Sequence, residues 1–266
     1  MRKVYFILLT VMLVCLGCEW QLKTSDEKPE DEMTVERYDR IESLYLTTGD
    51  FSALQHMNID YPRQTRMLIE DVLRLGHVDD ADINAKLLHF YQDSTLQNLI
   101  DETQRQYANM EDVDKQLTSA FKRLRTMIPD IEVPLVYAQI GSLDQSIIVG
   151  DSMLGISLDK YLGADYPLYE KYGYSDRQRS SMQRSFIVPD CVGFYLLSFY
   201  PMPADRPLLS EEVDLHMGKI QWVVNRCMQQ NIFRNASVQR VGRYMKRHKD
   251  VTAAQLLQNN DYASIR

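Results

Sequence analysis

Apolar residues recur three and four positions apart through much of the first half of the chain, with polar residues between them. This period is typical of amphipathic helices that bury one face. Within residues 82–128 it predicts two or three helices, because three apolar faces follow one another: Ile83, Leu87, Leu88 and Tyr91; Leu96, Leu99 and Ile100; Val113, Leu117, Ala120, Phe121 and Leu124. Asp93 stands where the N-cap of the second helix belongs, and Pro129 follows the third.

Helical patterns return in the last third of the chain. An apolar run predicts a core helix over Cys191–Tyr200, with Asp190 capping it or lying in its first turn. A second helix is predicted over Ser210–Met228. A third pattern, Val238–Lys249, is rich in arginine and lysine. We expect this basic segment either to contact anionic lipid headgroups or a partner, or to be a solvated helix face.

Between residues 133 and 158 the pattern changes to short runs of β-branched and aliphatic residues. Leu135–Ile140, Ile147–Val149 and Leu154–Leu158 predict three strands of a small antiparallel meander. Three glycines are expected to permit tight turns here: Gly150, Gly155 and Gly163. So few strands among many helices predict an α+β fold, predominantly helical, with a small antiparallel sheet of about three strands packed against helices.

The N-terminus has the layout of a targeting signal. Arg2 and Lys3 precede a 13-residue apolar run, Val4–Leu16, which is short for a membrane span. Leu16-Gly17-Cys18 resembles a bacterial lipobox, which predicts a lipoprotein signal peptide over residues 1–18 and lipidation of Cys18. Several acyl chains such as palmitate would then give stable anchoring. An ordinary signal peptide and an uncleaved anchor are the alternatives.

Residues 19–33 form a predicted tether, and residues 34–266 form a predicted single domain. The segment Ser25–Glu32 is charged, contains a proline and lacks aliphatic residues, so it is expected to be disordered. Hydrophobic residues make up 45% of the chain, which is enough for a sizeable core. The net charge of −7 argues against nucleic-acid binding, because phosphate contacts require an excess of basic residues.

The chain contains few of the patterns that carry catalysis or metal binding. None of its five histidines belongs to an HExxH motif, and it has no CxxC pair. Asp151, Asp159 and Asp190 are candidates for one polar site, although a turn or helix-cap role explains each of them equally well. Cys191 and Cys227 are expected to be buried free thiols, with a disulfide as the alternative. We therefore predict a protein that is not an enzyme and has no cofactor or metal.

An ordered series of short motifs carries a family resemblance. The motifs are Pro134–Tyr137, Ile140–Gly141, Ile148–Asp151, Leu154–Ile156, Leu158–Asp159, Tyr161–Gly163, Asp165–Tyr166, Tyr169 and Val188–Asp190. Together they resemble the gliding motility lipoprotein GldB of Bacteroidetes. The resemblance is strong across about 60 residues and looser from residue 34 to residue 205. The part of the chain after Leu209 departs from the family pattern.

The resemblance implies a non-catalytic, lipid-anchored protein of the cell envelope. Its expected location is the outer membrane, at the periplasmic or the surface face, and its expected partners are envelope proteins of the gliding or secretion machinery. The family's layout of strands followed by a long helix is also similar to that of zincin-type peptidases. The helix beginning at Pro189-Asp190 would then occupy the place of a zinc-binding helix, but it carries no histidine. The alternative function is therefore a zincin-like metallohydrolase or its inactive remnant.

Overall fold

The computed structural model describes residues 32–265. The predicted signal peptide, Cys18 and nearly all of the predicted tether lie outside this range, so the fold concerns the segment that begins at Met33. That segment forms one compact unit. Among the described residues, no helix combines the length and the apolar character that crossing a membrane requires.

Helices dominate the described residues. The α-helices are α1 (Tyr38–Thr48), α2 (Phe51–Ile59), α3 (Pro62–Arg66), α4 (Ile83–Tyr91), α5 (Ser94–Gln106), α6 (Glu111–Met127), α7 (Pro167–Lys171), α8 (Asp176–Arg179), α9 (Ile187–Phe199), α10 (Ser210–Met228), α11 (Ala236–Arg247) and α12 (Ala253–Gln258). A π-helical segment, Met67–Val72, follows α3, and three 3-10 turns cover Leu158–Tyr161, Arg184–Phe186 and Tyr262–Ile265. The predicted α+β, predominantly helical class is confirmed.

Local sequence signals explain several of the helix starts. Asp93 accepts hydrogen bonds from the backbone N–H groups of Thr95 and Leu96, so its predicted role as an N-cap is confirmed. Helix α9 begins at Ile187, four residues before the predicted start, and includes Pro189 and Asp190 in its first turn. A proline is tolerated there because the first helical N–H groups have no partner within the helix.

The three predicted strands exist, but their pairing differs from an antiparallel meander. Strands β1 (Leu135–Gln139), β2 (Ile147–Gly150) and β3 (Met153–Ser157) lie in the order β1-β3-β2. Strands β2 and β3 form the predicted antiparallel hairpin, whereas β1 pairs with β3 in parallel. The loop after β1 carries the chain past the position that β3 later fills. The β-branched runs mark each strand but contain no information about this order.

The glycines of the sheet region serve different purposes. Gly155 lies in the middle of β3 opposite Tyr137, whose ring a Cβ atom at position 155 would approach to 2.6 Å. The tight turn between β2 and β3 is made by Asp151 and Ser152, and Ser152 rather than a glycine has positive φ. Gly163 does adopt a positive φ of 117°. The tight-turn explanation for Gly155 was therefore wrong, because close packing of an aromatic ring requires that glycine.

The core lies between the sheet and helices that come both before and after it in the chain. Helix α9 packs against β2, β3, α6 and α10, and α1 packs against β1. Cys191 and Cys227 are buried within this core and are free thiols, as expected. Tyr161 and Tyr169 are also buried, so both belong to the core.

Candidate functional site

The three candidate aspartates lie in different environments. Asp151 is exposed in the turn between β2 and β3, where its backbone carbonyl accepts a hydrogen bond from Arg63. It borders a shallow groove of about 330 Å³ that Tyr195 and Phe199 also line. Asp159 and Asp190 do not line that groove. The hydrogen bonds of the described residues give the three carboxyl groups no partner in common.

Asp159 is fully buried and fastens the loop that follows β1. Its two carboxylate oxygens accept hydrogen bonds from the N–H groups of Gly141, at 2.8 Å, and Leu143, at 2.5 Å. Ser142 and Leu143 have φ values of 56° and 64°, which are unfavourable for residues with side chains. Burial raises the pKa of Asp159, while the hydrogen bonds from Gly141 and Leu143 lower it. Asp159 therefore stabilises the fold by holding this loop in its strained conformation.

Glu42 holds the same loop from the other side, and the sequence contained no signal for it. This buried residue of α1 accepts a hydrogen bond from the N–H of Ile140 at 3.0 Å through Oε2. Its Oε1 has no hydrogen-bond partner among the described residues. Burial raises the pKa of Glu42 well above its ordinary value. Two buried carboxyl groups thus bind different backbone N–H groups of one loop. The backbone of the motif around residue 140, rather than its side chains, makes these polar contacts.

Asp190 is the aspartate whose chemistry departs most from a surface carboxylate. It is partly buried, and its Oδ2 accepts a hydrogen bond from the hydroxyl of Tyr161 at 2.9 Å. Burial raises the pKa of Asp190 to about 7. No group of three or more His, Cys, Asp and Glu residues that could hold a metal is found in residues 32–265. Burial thus raises the pKa of Asp190, and the described residues around it form no metal-ligand set.

A different part of the molecule has the features of a binding site. An open cleft of about 1340 Å³ lies between the C-terminal half of α6, the second half of α10, the loop after α10, and α11. Five of the residues that line it are basic: Arg123, Arg226, Arg234, Arg243 and Lys246. None of the described residues that line this basic cleft is acidic. Its surface is therefore strongly cationic in a protein of net charge −7.

Close packing of α10 and α11 sets the shape of the cleft. Gly218 lies against Ser237, and a Cβ atom at position 218 would approach the Cβ and carbonyl carbon of Ser237 to 2.8 and 2.9 Å. The side chain of Asn225 fastens the connecting loop, because it donates to the carbonyl of Phe233 and accepts from its N–H. Gln229, which ends α10, adopts the left-handed conformation. These contacts fix the two helices that carry most of the basic side chains.

Neutral groups, not carboxylates, position three of the arginines. Arg123 donates to the carbonyl of Cys227 at 2.7 Å, and Arg234 donates to the carbonyl of Asn231 at 2.8 Å. The guanidinium of Arg226 stacks 4.9 Å from the centre of the Trp222 ring. Within residues 32–265 none of the five basic side chains makes an ion pair. The three positioned arginines therefore present positive charges that no carboxylate of the described residues neutralises.

The basic segment of the sequence forms one wall of the cleft. It folds into α11, whose buried face consists of Val238, Val241 and Tyr244. Its outer face extends the cationic surface, since Arg240, Arg243, Lys246 and Arg247 line an adjoining depression of about 500 Å³. Arg240 also pairs with Glu211 of α10. The predicted amphipathic helix is confirmed, and the structure places part of its basic face on a concave surface.

A charge signal in the sequence could have indicated this site more fully. No acidic residue occurs between Asp214 and Asp250, and eight basic residues do: Lys219, Arg226, Arg234, Arg240, Arg243, Lys246, Arg247 and Lys249. A long segment of one charge sign in an acidic protein marks a surface that attracts anions. Arginine adds specificity, because its planar guanidinium binds carboxylate and phosphate through paired hydrogen bonds.

Comparison with known proteins identifies one family. The family model described as gliding motility protein GldB matches residues 18–232 of this chain. No curated protein and no solved structure matches it. The matched region begins at Cys18, the predicted lipidation site, and ends before α11. One wall of the basic cleft thus lies inside the matched region and the other lies beyond it.

Proposed function

The chain belongs to the gliding motility protein GldB family, and on that premise we propose that it is a lipid-anchored protein of the cell envelope that binds protein partners and performs no catalysis. Its anchor is the acylated Cys18, and its location is the outer membrane of a member of the Bacteroidetes. Its partners are components of the gliding or envelope machinery. The observation that carries this proposal is the family match over residues 18–232.

The positions and hydrogen bonds of the three motif aspartates support a non-catalytic role. Asp159 uses both carboxylate oxygens to hold the backbone of the loop after β1. Asp151 lies in an exposed turn, and Asp190 binds the hydroxyl of Tyr161. General acid–base catalysis by paired carboxyl groups requires that both reach one substrate. The separate hydrogen-bond partners of these residues favour a structural explanation for the motifs.

No observation favours the alternative, a zincin-like metallohydrolase or its remnant. Helix α9 follows the sheet as a zinc-binding helix would, but it contains no histidine, and His216 on α10 hydrogen-bonds to Tyr262 and to the carbonyl of Tyr200. Burial raises the pKa of Cys191, so its thiol is a poor ligand for a metal. The binding role is therefore the one that we propose.

Cross-linking in intact cells tests the proposal. We expect the wild-type protein to fractionate with membranes and to cross-link to a reproducible set of envelope proteins. Cys18→Ala should leave the protein unprocessed or soluble and should abolish the cross-links, because the chain then lacks its acyl anchor. Ser25→Ala is the control, since it changes a residue of the predicted tether outside the signal peptide and should process normally. Fractionation and electrophoretic migration of Cys18→Ala identical to those of the wild type, or wild-type protein at the membrane without a specific cross-linked partner, would refute the proposal.

A further inference from the structure

We propose that the basic cleft is a binding site for an anionic lipid headgroup that carries its net negative charge on phosphate. The first argument is the uncompensated charge. Five cations line the cleft, none of its described lining residues is acidic, and three arginines are positioned by carbonyls or an aromatic ring. The positive charge of a guanidinium that is held by a neutral partner stays available to attract a ligand, whereas a carboxylate partner would neutralise it. The site is built for an anion.

The second argument is the division of the cleft into a cationic rim and an apolar interior. The side chains of Arg226, Arg243 and Lys246 are exposed, whereas Val238 is buried and Trp222 is partly buried. Phe233 and Met127 complete the apolar part of the lining. An inorganic phosphate ion would use only the rim. A lipid headgroup with its glycerol and the first methylenes of its acyl chains would use both parts.

The third argument is location, which is the point where this inference rests on the proposed function. A family of lipoproteins lies at a membrane, and lipid phosphate groups are the anions within reach there. Amide side chains at the cleft, among them Gln229, Gln230 and Gln239, supply further hydrogen bonds to ester oxygens or headgroup hydroxyls. The cationic rim, the apolar lining and the expected location together favour a lipid phosphate as the ligand.

Trp222 provides a direct readout of binding in the full-length protein. The chain contains two tryptophans, so Trp20→Phe leaves Trp222 as the only indole. The protein, kept in a nonionic detergent, is titrated with dihexanoyl phosphatidic acid, dihexanoyl phosphatidylcholine, inorganic phosphate and a hexaglutamate peptide. We expect a saturable change of Trp222 fluorescence with phosphatidic acid. Its affinity should exceed that of each other probe at least about tenfold and should weaken with added salt.

Removal of three rim charges supplies the second measurement. Each basic side chain near an anionic lipid contributes a factor of roughly five to binding. Arg226→Gln, Arg243→Gln and Lys246→Gln combined should therefore lower the affinity for phosphatidic acid about 100-fold. All three residues are exposed, so the variant should fold with an unchanged circular dichroism spectrum and melting temperature.

A charge-matched control separates the cleft from net charge. Lys86→Gln, Lys115→Gln and Arg177→Gln combined remove the same charge from exposed positions outside the cleft, and this variant should bind as the wild type does. An equal loss in the control would overturn the proposal. So would equal affinity for phosphatidylcholine, for inorganic phosphate or for hexaglutamate, because each result would assign the cleft to another ligand.

The proposed function and this inference fail separately. If the cleft variant loses lipid binding but keeps its cross-linked envelope partners, both proposals are supported. If the wild type binds phosphatidic acid but cross-links to no partner, the lipid site is supported and the partner-binding function is refuted. If the wild type has partners but shows no preference for phosphatidic acid, the lipid site is overturned.

Discussion

Replacing Asp159 tests whether the family motif is structural. The carboxylate accepts two backbone hydrogen bonds in a fully buried setting. A hydrogen bond to a charged group contributes about 1.5–3 kcal/mol, and an unpaired buried donor costs about 1–3 kcal/mol. Asp159→Ala leaves the N–H groups of Gly141 and Leu143 without acceptors and removes the restraint on a loop with two left-handed residues. We expect the free energy of unfolding to fall by about 3–5 kcal/mol.

Asp159→Asn should cost about half as much as alanine. The amide keeps the shape and one accepting oxygen, and it avoids burying a charge, but it faces one backbone N–H with a donor. Urea denaturation followed by circular dichroism gives each free energy of unfolding. Asp151→Ala is the matched control, because that motif aspartate is exposed, and it should change stability by no more than about 0.5 kcal/mol. Equal stability of Asp159→Ala and Asp151→Ala would refute the structural explanation.

Three further predictions follow from buried groups. Burial raises the folded-state pKa of Asp190 to about 7, so its contribution to stability should decrease by about 2–4 kcal/mol as the pH rises from about 4 to 7. Asp190→Asn should abolish that decrease in urea titrations. An unchanged pH dependence in this variant would contradict the assignment. Gly218→Ala should destabilise the fold by about 1–3 kcal/mol, because the added Cβ atom clashes with Ser237 of α11. Gly193→Ala should be neutral or stabilising, because a Cβ atom there meets its neighbour at 3.7 Å. A larger loss of stability for Gly193→Ala than for Gly218→Ala would disprove the close packing of α10 and α11. The buried thiols Cys191 and Cys227 should react with maleimide only in denaturant, and rapid labelling of the native protein, counted by mass spectrometry, would disagree with the fold.

Hydrophobic period was a reliable guide to the helices and a poor one to the sheet. Helix α6 could be predicted because its apolar face repeats through Leu124 and a proline follows. The start of α9 was placed four residues late, because Ile187 and Val188 continue an apolar run that has no helical period of its own. The order of the strands depends on where the loop from Ile140 to Ser146 crosses. Glu42, 98 residues away from its partner Ile140, holds that loop together with the nearer Asp159.

The site was harder to predict because its parts come from distant segments. The basic pattern of α11 was visible in the sequence, which left two interpretations open: a solvated helix face, or a surface that contacts lipid or a partner. Its concave shape was not, since Arg123 on α6 and Arg226 on α10 complete it through tertiary packing. The aspartates drew attention because of their residue type alone. Only the structure shows that Asp159 accepts hydrogen bonds from backbone N–H groups.

Native mass spectrometry of the protein extracted from its own membranes tests the central claim, a lipid-anchored binding protein without a catalytic metal, most directly. The predicted mass is that of a chain beginning at Cys18 with its acyl groups and no zinc. A fraction should carry a phosphorylated lipid, and the Arg226→Gln, Arg243→Gln, Lys246→Gln variant should lack it. An unprocessed chain, or one zinc ion bound per chain, would contradict the account.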